Sequence, residues 1–153
     1  MNLIPTPKIL LKTALLLASG AFSTISFAHS AGATTDADGS NANATILAAI
    51  TCEDDGHGEP DGLFAQIKDL SEPVDGLLIS IQLYKGIQAI TDTDTVSGDA
   101  DYSEGIQLNA GPGVYQILVN KTDVGPRTFD VIWHCMTEDH DHTGTGIILR
   151  QFQ

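Results

Sequence analysis

Three of the chain's five histidines lie within residues 134–142, in the stretch HCMTEDHDHTGTG, interleaved with Glu138, Asp139 and Asp141. A second stretch, EDDGHGEPDG, holds His57 among Glu53, Asp54, Asp55, Glu59 and Asp61. Each stretch adjoins one of the only two cysteines, Cys52 and Cys135. Neutral imidazole donates a lone pair to a borderline metal, and carboxylates supply anionic oxygen or accept the second ring proton. Converging His and Asp side chains are thus the ligand set favoured by zinc or copper(II). The expected ligands are His57, His140 and His142, with Asp54, Asp55 and Asp139 beside them. In an extended segment the rings of His140 and His142 point the same way and Asp141 faces away. His134 alternates with Trp133 and Cys135, so it points away from the core and outside this set. The spacing matches no metal motif of known mechanism, and a solvated acidic surface without a ligand is the alternative.

Two further cation sites are weaker. DTDTVSGDADYSEG places Asp92, Asp94, Asp99 and Asp101 around a turn, where several oxygens could serve calcium, but the order is not that of an EF-hand loop. His29, if it becomes the first residue, offers copper both its α-amine and its ring. Catalytic chemistry has little support: there is no G-x-S-x-G elbow, no phosphate-cradling loop and no thiol left over once the cysteines pair. The chain is not read as an enzyme.

The compartment follows from the first segment. MNLIPTPKILLKTALLLASGAFSTISFA carries Lys8 and Lys12, then an apolar run, then small residues, the pattern of a secretory signal peptide over residues 1–28. Ser19, Gly20, Ser23, Thr24 and Ser26 dilute it too early for a spanning helix. Cleavage is expected after Ala28, with Ala33 as the alternative. The segment holds two of the seven basic residues and none of the twenty acids, which leaves five against twenty, a formal charge of −15, in residues 29–153. Such a chain is no partner for nucleic acid, and it is disfavoured at an anionic membrane surface. In an oxidising compartment Cys52 and Cys135 most simply pair with each other, closing a loop worth roughly 4 to 5 kcal/mol by chain entropy.

The elements that must position these loops show period two. Ile46, Ala48, Ile50 and Cys52 share one face of TILAAITC, and Leu77, Ile79, Ile81 and Leu83 share one face of LLISIQLYK. Tyr115, Ile117 and Val119 repeat the pattern, as do Phe129, Val131, Trp133 and Cys135. Shorter candidates lie at 63–68, 87–91, 105–108 and 146–152, and Gly-rich turns such as Asp61-Gly62, Asp75-Gly76 and Gly111-Pro112-Gly113 separate them. The expected fold is all-β: an antiparallel β-sandwich, jelly-roll or Ig-like, of about eight short strands with one inter-sheet disulfide, since each cysteine sits on the apolar face of its own strand. Residues 29–44 lack large apolar side chains and read as a flexible leader, so a single domain is expected over 45–153.

From Leu63 to Trp133 the succession LFAQIK, GLLISIQLYKGIQAI, an acidic turn, IQLNAGPGVYQILVNK and FDVIW resembles the bacterial pre-peptidase C-terminal domain. The piece that carries the resemblance is Ala110-Gly111-Pro112-Gly113-Val114-Tyr115-Gln116-Ile117. It implies an exported sandwich that assists binding, secretion or folding without chemistry of its own. This chain departs from the pattern in having no protease attached and in its disulfide and His-rich loops. Two functions result: an exported protein binding zinc or copper through its acidic His-bearing loops, or a metal-free accessory domain contacting a protein or glycan.

Overall fold

The computed structural model describes residues 29–153; the segment read as a signal peptide lies outside them. Nine antiparallel strands are described: β1 His29–Thr35, β2 Ile46–Glu53, β3 Gly62–Asp69, β4 Ile79–Lys85, β5 Gln88–Asp94, β6 Ile106–Asn109, β7 Gly113–Lys121, β8 Arg127–Met136 and β9 His142–Phe152. The period-two alternation places the apolar side chains as read. Ile79, Ile81 and Leu83 of β4 are fully buried, while Ser80 and Gln82 between them are half-exposed. Leu63, Ala65 and Ile67 of β3 meet Tyr115, Ile117 and Val119 of β7 and Phe129, Val131 and Trp133 of β8 in one core.

The all-β antiparallel architecture and the Cys52–Cys135 disulfide agree with the sequence reading; the arrangement of sheets differs from the two expected. The strands follow one hydrogen-bonded path, β5-β4-β7-β2-β9-β8-β3-β6, with β1 added to β8. β5 returns to β6, where the Gly105 amide donates to Asp92 Oδ2 over 3.3 Å, so the path is nearly closed and barrel-like. The cause is β9: it pairs with β2 from Glu53 to Ile46 and with β8 at Cys135 and Met136, joining what would otherwise be two layers. The disulfide therefore ties together the two strands that flank the start of β9.

The leader expected over 29–44 also differs. Residues 29–35 form β1, in register with β8 from Trp133 to Arg127. Main-chain pairing replaces apolar burial here, and it needs small side chains: a Cβ on Gly32 would sit 3.2 Å from the Phe129 carbonyl. Asp36 then turns the chain with a positive φ of 54°. Its buried carboxylate accepts from the amides of Ser40, Asn41 and Gly125 and from Lys121 Nζ, each at 2.8 Å. Burial would raise this carboxyl, but the hydrogen bonds from Lys121 and the three amides outweigh it and hold the group well below the usual carboxylate range. A second buried pair lies at the start of β8, where Arg127 Nη1 donates to Asp69 Oδ2 at 3.1 Å and to the Glu72 carbonyl at 2.9 Å.

Candidate functional site

Cys52 and Cys135 are bonded, with their α-carbons 5.4 Å apart. The two acidic loops consequently leave the barrel from adjacent points, and Thr143 stitches them. Its hydroxyl hydrogen-bonds the carbonyls of Gly58 at 2.7 Å and Glu53 at 3.2 Å, while the Asp61 amide donates to the Met136 carbonyl at 2.7 Å. The approach is close enough to require glycine: a Cβ on Gly144 would lie 2.6 Å from the Glu53 carbonyl oxygen. The juxtaposition expected from the disulfide is thus present.

Within it, each histidine has its own surroundings. In the first loop Asp54 Oδ1 accepts from the amides of Gly56 and Gly58. Asp55 Oδ1 lies 2.9 Å from His57 Nδ1, and that side-chain hydrogen bond lowers the Asp55 carboxyl. In the second loop the segment is a tight turn in place of the extended run that would align His140 with His142. The Asp141 amide donates to Thr137 Oγ1 and the His140 amide to the Thr137 carbonyl. His140 takes a left-handed φ of 64°, and it and Asp139 are exposed. His142, which opens β9, stacks on His134 with ring centroids 4.2 Å apart and planes within 17°. Among the described residues no group of three or more His, Cys, Asp and Glu side chains is disposed to hold a metal ion.

His134 lies off the core face of β8, as its alternation with Trp133 and Cys135 predicts. It is nevertheless buried, because Phe64, its cross-strand partner on β3, stacks on it from the other side with centroids 6.4 Å apart. The result is a row of rings on the outer face, Phe64–His134–His142. Nδ1 of His134 is buried without a hydrogen-bond partner. Burial first, then the neighbouring His142 and His29, push its pKa down to about 4. His29, the weaker copper candidate, lies on β1 with its ring 6.1 Å from that of Trp133. Alternation alone could not find this row, since it depends on the β3–β8 register and on the point at which β9 joins β8.

Of the calcium candidates, Asp92, Asp94 and Asp99 accept hydrogen bonds from nearby backbone. Asp94 is buried: Oδ2 accepts from the Asp69 amide at 2.9 Å and Oδ1 from Val96 at 3.2 Å. Burial raises its carboxyl against those two hydrogen bonds, with Asp99 and Asp69 adding to the rise. Asp99 Oδ1 accepts from the Asp101 amide, and Asp92 Oδ1 from Thr93. At the Gly111 turn, Lys85 Nζ donates to the carbonyls of Ala110, Gly111 and Pro112, and the Tyr115 hydroxyl donates to Gly111 at 2.6 Å. This turn is thus capped by a lysine and a tyrosine.

Compared with protein-family models, with curated proteins and with solved structures, the chain matches none. No helix among the described residues is long and apolar enough to cross a membrane. The disulfide is consistent with an oxidising compartment outside the cytoplasm.

Proposed function

We propose that this is an exported, non-catalytic binding domain whose contact surface is the acidic rim formed by residues 53–61 and 137–142. The observation that carries the reading is the stitching of those loops by Cys52–Cys135 and by Thr143: two segments far apart in the sequence are held at one rim at the cost of a disulfide and a required glycine. A rigid loop pair presented by a β-scaffold is the usual geometry of a recognition surface. The excess of acid among residues 29–153 favours a basic or cationic partner and opposes nucleic acid.

We favour the metal-free form of this reading. His57 is engaged by Asp55 and His142 by His134, while His140 lies at a left-handed turn, so a common zinc or copper centre would need these side chains to be brought together. Calorimetric titration with Zn²⁺ and with Cu²⁺, on the natural protein and on the His140→Ala/His142→Ala variant, tests it. No stoichiometric uptake that depends on these histidines is expected. Uptake of one ion that disappears in the folded double variant would overturn the metal-free reading in favour of the metal site.

A further inference from the structure

β8 offers one edge to two strands. β9 takes it only at Cys135↔Thr143 and Met136↔His142, and β1 takes it from Trp133↔His29 to Arg127↔Thr35. The other edge of β8 is filled by β3 from Met136 to Phe129. Past the fork β9 stays on β2 and leaves β8. Among the described strand pairings none joins β1 to β9. Their α-carbons stay beyond 8 Å of one another over nearly all of their length, where hydrogen-bonded neighbours lie about 5 Å apart. β9 thus runs alongside an edge of β8 that another strand occupies.

The side chains of β9 suit that edge better than those of β1. Continuing the β8–β9 register past the fork sets Ile147 opposite Val131 and Leu149 opposite Phe129, where β1 sets Ala31 and Ala33. Directly opposed residues of an antiparallel pair share a face, so Ile147 and Leu149 would enter the core that Val131 and Phe129 already line. As the chain stands they are 46% and 57% exposed, along the apolar groove between β1 and β9. The extended ladder would run from Trp133↔Thr145 to Phe129↔Leu149, ahead of the irregularity that β9 makes against β2 after Leu149. β1 therefore offers the longer ladder and β9 the greater apolar burial. The far end decides for β1: Thr35 is fully buried, and the Asp36 carboxylate beside it is held by Lys121.

We propose that β1 is a displaceable strap and β9 its replacement: when residues 29–33 are removed or drawn away, β9 closes onto β8 in the register begun at Cys135 and Met136, burying Ile147 and Leu149 and shutting the groove. Two packings of one edge with opposed advantages are the physical basis of a conformational switch. Ala31-Gly32-Ala33, the alternative cleavage sequence, lies within β1. A cut after Ala28 leaves the strap in place. A cut after Ala33 removes all of it but Thr34 and Thr35, and leaves the Asp36–Lys121 pair that anchors its end. The choice of cleavage site therefore sets the state of the edge. The switch does not rest on the recognition reading of the rim.

The test compares, by NMR, oxidised protein beginning at His29 with oxidised protein beginning at Thr34. In the first, cross-strand contacts are expected from β8 to β1 and none from Val131 to Ile147. In the second, contacts should appear between Val131 and Ile147 and between Phe129 and Leu149, and the amides of residues 145–149 that face β8 should exchange about tenfold more slowly. Should the shorter protein not fold, Gly32→Val in the chain from His29 decides. A Cβ at that position lies 3.2 Å from the Phe129 carbonyl oxygen, so the larger side chain pries β1 off the edge, and the same new contacts are expected. A folded shorter protein whose β9 gains neither contacts nor protection would overturn the proposal. Failure of both variants to fold would overturn it as well, by making β1 an integral strand. So would dimers in sedimentation joined through the bared edge of β8.

Discussion

Protonation of His134 should weaken the fold over a defined pH range. Its ring lies between Phe64 of β3 and His142 of β9, with His29 of β1 nearby, and Nδ1 has no partner to share a proton with. The folded pKa of about 4 lies below the ordinary 6.5 that the unfolded chain recovers. Between these values the unfolded state binds more protons, so stability is full above about pH 6.5 and falls steadily as the pH drops towards 4, where the loss levels off. At complete burial the displacement corresponds to roughly 3 kcal/mol; solvent reaches the stack through exposed His142, which reduces the expectation to about 2 kcal/mol. The assay is urea unfolding at intervals from pH 7.5 to 4, on the natural protein and on His134→Phe, which keeps a ring in the stack and removes the titration. Asp36, lowered, and Asp94, raised, titrate in both proteins and cancel in the difference. The difference in stability should move by about 2 kcal/mol in favour of the variant on acidification. A flat difference, or one favouring the natural protein at low pH, would refute the assignment of a buried neutral imidazole.

Two other perturbations test the frame that holds the rim. The disulfide closes a separation of 83 residues, so Cys52→Ala/Cys135→Ala should lose roughly 4 kcal/mol in urea unfolding and expose the Thr143 amide to faster hydrogen exchange; a loss under about 1 kcal/mol would show that Thr143 and the strand ladder hold the loops unaided. Arg127→Met strands the fully buried Asp69 carboxylate and should cost about 3 to 5 kcal/mol, of which Arg127→Met/Asp69→Asn recovers at least half. Equal losses in the single and double variants would mean that packing of the arginine, and not its charge, supports the start of β8.

What could be read from the sequence was whatever is written in side-chain periodicity. The alternation in residues 46–52, 79–83, 115–119 and 129–135 marks the core faces, because a buried strand face must be apolar at every second position. The cysteine pair was legible for a related reason: both sulfurs belong to such faces, and a shared core brings them together. β1 was not legible, because HSAGATT enters the fold by its main chain, and main-chain pairing leaves no hydrophobic pattern. Asp36 and Lys121 hid in the same way, as a buried ion pair contributed by a segment without apolar residues and by the last position of β7.

The histidines show where periodicity stops and register begins. Alternation alone places His134 on the outer face, which is correct, but it does not say whether the ring there is wet or covered. Whether an outward side chain is wet depends on what stands beside it in neighbouring strands. Here the β3 register sets Phe64 directly across, and the two-residue β8–β9 ladder sets His142 on the other side. The same short ladder decides the rest of the molecule. Because β9 leaves β8 after Met136 and Cys135, His142 is drawn onto His134 and away from His140, and the vacated edge of β8 falls to β1. β1 has only small side chains to place over the core, so an apolar groove of about 220 Å³ remains beside it, lined by residues such as Ala33, Phe129, Leu149 and Phe152. One fork in the strand pairing thus accounts for the divided histidines at the rim and for the apolar groove between β1 and β9, and a substitution that extended the β8–β9 ladder at the expense of β1 would alter both together.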